Sequence, residues 1–147
     1  MSYEDLLRRG KIAPYHVSKQ EVFSLLDVAK RDLRTAEQTL DIDIDWCYSI
    51  TYNAILQASR ALMLSHGYRP RGGQQHLTVV QFLREALGER GGNEVSLFDQ
   101  MRRKRHRAIY ERAGLVGRNE VEGALDFGGK FVAILSQLAR EKLVSDE

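Results

Sequence analysis

The sequence predicts an all-α protein, an up-and-down bundle of four long helices with one or two short ones, forming a single domain over residues 1–147. Three observations carry that prediction. Apolar residues recur three and four positions apart along several long runs. The chain has only two prolines, Pro14 and Pro70, and neither interrupts such a run. The runs are rich in Leu, Ala, Arg and Glu, residues that favour helix. A length of 147 residues suits one domain, and a hydrophobic fraction of 43% suffices for a core.

The elements follow in order. Tyr3 to Arg9 reads as a short helix ended by Gly10. Ser18 to Glu21 has the form of a capping box, in which each side chain satisfies the other residue's backbone amide. Val22, Leu25, Leu26, Ala29, Leu33, Ala36 and Leu40 then mark an amphipathic helix reaching about residue 40. Asp43 or Asp45 can cap the next helix, Trp46 to His66, where an acid also suits the helix dipole. Ala54, Ala58 and Ala61 let neighbours approach closely, so this is the expected central helix, with Gly67 as its stop.

Pro70, Gly72 and Gly73 predict a loop from Tyr68 to Gln75. His76 to Leu87 is a shorter helix stopped by Gly88, and Gly91-Gly92-Asn93 a second loop with Asn93 as cap. Glu94 to Arg112 and, after a turn at Gly114 and Gly117, a last helix capped by Asn119 and running to about Leu143 complete the set. Gly128-Gly129 inside the last helix costs about 1 kcal/mol per glycine relative to alanine. That cost predicts a kink or a close helix crossing.

Charge and cysteine usage limit the function classes. A net charge of +2 excludes a general polycation, so any affinity for nucleic acid must be local. Cys47 is alone, which excludes an internal disulfide, and it reads as a small buried residue. The histidines are scattered, and no metal or other cofactor is expected. No signal-peptide run and no apolar stretch of about 20 residues is present, so a soluble cytoplasmic protein with no membrane contact is expected.

The most informative segment is Met101 to Glu111. Positions 102–107 hold five cationic side chains and a histidine within a helical pattern. Arg102, Arg103, Lys104 and Arg107 are candidate phosphate or nucleic-acid contacts. Helical spacing puts Arg102, Arg105 and Arg112 near one face and Arg103, His106 and Tyr110 near another. Two plainer readings stand beside this one. The charges can pair with Asp99 and Glu111 on a solvated face, or one arginine can pack against Asp43, Asp45 or Tyr52 to order the bundle.

The chain resembles the HEPN domains (higher eukaryote and prokaryote nucleotide-binding). The resemblance spans nearly its whole length. It rests on Tyr3-Glu4-Asp5-Leu6-Leu7, Ala29 to Ala36, Asp45-Trp46 through Tyr52-Asn53-Ala54, Gln57 to Met63, Gly67-Tyr68-Arg69-Pro70, and His76 leading into Val80 and Phe82. The basic helix falls where the family keeps its functional signature: an arginine, a polar residue that is usually Asn, three further residues and a histidine. Members with that signature are implied to be metal-independent ribonucleases, commonly homodimers. Some are toxins neutralised by a partner nucleotidyltransferase. Mapped onto this chain, Arg105 takes the arginine position, His106 replaces the asparagine and Tyr110 replaces the histidine.

Arg105, His106 and Tyr110 are therefore the candidate catalytic residues of a degenerate motif. A phenol with a reference pKa of about 10 is a poor acid or base at pH 7. His106 lies one turn earlier and some 40° around the helix from position 110. The resemblance thus implies the helical partner of a minimal nucleotidyltransferase in a toxin–antitoxin-like pair, a homodimer with RNA or nucleotide contact. The alternative is an active metal-independent endoribonuclease using Arg105 and His106. A nucleotide binder without chemistry is a third reading. His76, five residues after Arg71, matches the bare spacing of the signature but spans a Gly-Gly loop, so it reads as a helix-start residue.

Overall fold

A computed structural model of the chain describes residues 1–111 and 113–145. Among these residues six α-helices are formed: α1 (Tyr3–Arg8), α2 (Lys19–Thr39), α3 (Ile44–Ser65), α4 (Gln75–Leu87), α5 (Gly92–Tyr110) and α6 (Arg118–Ser145). Four are long and two short, as the periodicity predicts. The expected end of α5 at Arg112, and that residue's place on the basic face, lie outside the described residues.

Local chemistry accounts for the first three helix starts. Ser2 and Asp5 form a capping box on α1, and Ser18 and Glu21 form one on α2. Asp43 caps α3 by accepting from the Trp46 amide at 3.1 Å. Two expected caps differ. A 3₁₀ turn, Gly88–Gly91, runs directly into α5, so Asn93 already lies inside the helix. Helix α6 begins at Arg118, which places Asn119 in its first turn. There Arg118 donates to Asp41 at 2.7 Å and to Glu122 at 3.0 Å, tying α6 to the turn between α2 and α3.

Helix α3 is the centre of the bundle and packs against α2, α4, α5 and α6. Its buried residues include Tyr52, Ile55, Leu62 and Met63, and Cys47 is buried at its start. The small residue that matters at the α3–α6 crossing is Gly128. A Cβ there would stand 2.8 Å from Thr51 Cγ2, whereas one on Gly129 would meet nothing within 4 Å. The glycine pair therefore marks a close crossing within a continuous helix.

The segment expected as a plain loop contains a strand. Ile12–Pro14 (β1) pairs antiparallel with Tyr68–Pro70 (β2), with Ile12 opposite Pro70 and Pro14 opposite Tyr68. Tyr15 donates its amide to Gly67 at 2.8 Å, and Arg71 donates to Lys11 at 2.8 Å. Both prolines occupy the alternate positions, where an amide would point away from the partner strand. The missing N–H therefore costs the ladder nothing. This ribbon delivers the chain from α3 to the start of α4.

Candidate phosphate-binding cleft

Helices α4 and α5 pack against each other and against α3. Between them opens a cleft of about 430 Å³ lined by Gln74, Gln75, His76 and Leu77 on one side and Arg102, Arg105, His106 and Tyr110 on the other. One wall is the first turn of α4. Gln74 precedes it in the left-handed conformation, φ 56° and ψ 45°, and its side chain does not cap the helix. The uncapped N-terminus leaves backbone amides and the positive end of the helix dipole at the cleft.

The other wall is the basic helix, and the structure divides its cations. Arg102 and Arg105 enter the cleft, as do His106 and Tyr110, so the two sets expected on separate faces meet in one space. Arg103 is turned outward and lies 3.7 Å from Asp99. Arg107, 61% exposed, lies 3.8 Å from Glu111. Lys104 pairs with Glu120 of α6 at 2.7 Å, away from the cleft. Of the four arginines and lysines expected to hold phosphate beside Arg105, only Arg102 faces the cleft, and it is paired with Asp99 at 2.9 Å.

Arg105 has a different environment. Its guanidinium carbon lies 5.4 Å from the centre of the Tyr52 ring, a cation–π contact with a buried phenol. Its Nε is buried with no hydrogen-bond partner, and among the described residues Arg105 and Arg60 make no ion pair. This is the packing of an arginine on Tyr52 that the sequence left open, and Arg105 is at the same time one of the residues that line the cleft.

His76 joins the group from α4. Its Nδ1 lies 3.0 Å from the Tyr52 hydroxyl, and the two rings are 5.8 Å apart. Tyr52 in turn stacks on Phe98 of α5 at 5.2 Å. Burial pulls His76 below the usual imidazole range, and the charges of Arg105, Arg60 and Arg102 lower it further. Burial also raises the Tyr52 phenol well above its ordinary value, against the opposing pull of Arg105 and Arg102. The imidazole is therefore neutral at pH 7 and the phenol protonated.

At the mouth, His106 and Tyr110 form a tilted ring pair with centroids 4.9 Å apart, and Tyr110 is 68% exposed. They present an aromatic surface beside the cations, the pairing used to stack a base next to a held phosphate. His76 was read from sequence as a helix-start residue, and it is one. That reading missed its second role, because the partners of the imidazole lie on α3 and α5. The one sequence signal was an imidazole placed just after a Gly-Gly turn, at the uncapped start of a helix.

Among the described residues, no group of three or more His, Cys, Asp or Glu side chains is arranged to hold a metal ion. No helix of the described residues is long and apolar enough to cross a membrane.

Comparison with known proteins agrees with this architecture. No curated protein matches the chain. It is similar to the crystal structure of TT1696 from Thermus thermophilus, with a TM-score of 0.61 and 25% identity over 83% of this chain and 98% of that one. The model of the HEPN domain matches residues 22–138, from the first buried turn of α2 through most of α6 and across both walls of the cleft. The chain belongs to the HEPN domain family.

Proposed function

We propose that this protein binds RNA or a nucleotide through phosphate in the α4–α5 cleft, without cleaving it. In this reading it acts as a homodimer and as the helical partner of a minimal nucleotidyltransferase in a toxin–antitoxin-like pair. One observation carries the binding: Arg102 and Arg105 line the cleft together with His76, and among the described residues only Arg102 of the two arginines has a carboxylate partner. Like charges gathered in a partly desolvated place repel one another, and a bound anion relieves that repulsion. The amides at the start of α4 add donors of the kind that hold phosphate oxygens. Membership of the family supports the partner assignment.

Binding is tested by calorimetry with short RNAs and nucleoside phosphates at low and raised salt. Affinity that weakens with salt and is lost in Arg105→Ala is the expected result. An Arg105→Ala protein that binds like wild type refutes the site. The partnership is tested by pull-down and calorimetry against the product of a neighbouring nucleotidyltransferase gene. No association at micromolar concentration removes it. A monomeric mass at the same concentration removes the homodimer.

The alternative is a metal-independent ribonuclease, and one observation favours it: Arg105 and His106 share the cleft although they point differently along α5. It requires RNA cleavage in EDTA that disappears in Arg105→Ala and in His106→Ala. Intact RNA under those conditions eliminates it.

A further inference from the structure

The Tyr52–His76 pair has one feature that phosphate binding alone does not use. Tyr52 is 1% exposed, so its hydroxyl hydrogen requires a partner inside the protein. Among the described residues the hydrogen-bond contact at that hydroxyl is His76 Nδ1, at 3.0 Å. The cations on the same side, Arg102 and Arg105, offer donors only. Asp99, the carboxylate whose charge also reaches the phenol, is held by Arg102 and Arg103. If Nδ1 carried a hydrogen, the phenol hydrogen would be buried with nowhere to go. Nδ1 must therefore accept, and a neutral ring then carries its hydrogen on Nε2. Nε2 is the nitrogen left for the cleft that His76 lines.

We propose that Tyr52 is a positioning residue that locks His76 as the neutral Nε2–H tautomer, making His76 a hydrogen-bond donor to a phosphate oxygen held by Arg105 and Arg102. The inference rests on the phosphate-binding reading and deepens it. It assigns the imidazole to binding and not to proton abstraction, since a ring with its Nε2 already protonated has no lone pair to offer the cleft. It also explains how the site retains a donor at pH 7 without adding a further positive charge to the two guanidiniums. A neutral donor beside two guanidiniums suits a phosphate group, whose oxygens accept from each.

The test reads the tautomer directly. Nitrogen-15 spectra of the ring in the free protein are expected to show His76 Nδ1 unprotonated and Nε2 protonated, and Tyr52→Phe to mix the two tautomers. Inorganic phosphate is expected to move the Nε2–H resonance. Its affinity should fall about tenfold in His76→Ala, the loss of one charge-assisted hydrogen bond. His76→Gln, which keeps an N–H donor near the position of Nε2, should recover most of that loss. A hydrogen on Nδ1 in the free wild-type protein overturns the inference, as does a tautomer that Tyr52→Phe leaves unchanged. Phosphate that binds through Arg105 but is indifferent to His76→Ala overturns it too, and leaves the cleft standing as a phosphate site. Wild-type protein that binds no phosphate, RNA or nucleotide overturns the function itself, whatever the tautomer.

Discussion

Alanine at Gly129 should stabilise the protein and alanine at Gly128 should not, although the two positions are adjacent on one helix. Replacing a mid-helix glycine by alanine stabilises by about 1 kcal/mol when the new methyl is free. At Gly129 it is free, since nothing lies within 4 Å. At Gly128 the methyl would sit 2.8 Å from Thr51 Cγ2, with Leu33 Cδ2 at 3.6 Å and Ile55 Cδ1 at 3.7 Å behind it. Thr51 cannot rotate away cheaply, because its hydroxyl donates to the Cys47 carbonyl at 2.8 Å and the residue is fully buried. Overpacking of this kind costs roughly 1–3 kcal/mol, which offsets or exceeds the helix gain. The two variants should therefore differ by about 2 kcal/mol, and for a chain of this size by several degrees in Tm. Thermal and urea unfolding followed by circular dichroism measure this. Equal stabilisation by both alanines would refute the close crossing. The crossing matters for the site because Thr51 immediately precedes Tyr52, so α6 sets the height at which Tyr52 meets α4 and α5.

Three further outcomes follow from the same geometry. Arg105→Ala should weaken phosphate or RNA binding by about 10- to 100-fold, the loss of hydrogen bonds to a charged group, while Arg107→Ala, at an exposed position outside the cleft, should change it by less than about threefold; titration calorimetry at fixed salt reads both. Ser18→Ala should cost about 1 kcal/mol by removing the α2 capping box, visible as a lower urea midpoint with an unchanged slope. Acidification should destabilise the fold through His76. Its folded pKa lies below the ordinary 6.5, so the unfolded chain takes up the proton first, and stability falls as pH drops from about 6.5 through the lowered folded value. His76→Gln should flatten the unfolding free energy across that window, and an unaltered pH profile would contradict the buried neutral imidazole.

Much of the helical frame was legible because its causes are local. A hydroxyl at Ser18 and a carboxylate at Glu21 stand three residues apart, close enough to satisfy each other's amides whatever the rest of the chain does. Where the rule failed, the competing cause was equally local but weaker in pattern. The chain between Leu87 and Val95 continues through a 3₁₀ turn, so a side chain at Asn93 is not needed as a cap. The ribbon was invisible for a different reason. Each strand has three residues and includes a proline, too short for an alternating pattern, and Ile12 pairs with a residue far along the chain.

The candidate site divides in the same way. Sequence alone determined the all-helical class, the central helix and the concentration of cations on α5, because each depends on composition or on spacings of three and four residues; the family resemblance came from particular motifs read along the chain. Only the tertiary structure decided which cations face the cleft. Arg103, Lys104 and Arg107 lie in the same block as Arg105, yet they pair with Asp99, Glu120 and Glu111. Arg105 lies over Tyr52 with its Nε unpaired. The imidazole beside it comes from His76, whose hydrogen-bond partner is 24 residues away on another helix. Helical periodicity orders neighbours along one axis. It cannot report how three axes converge, and that convergence, set by the packing of α4 and α5 on α3, is what makes the cleft.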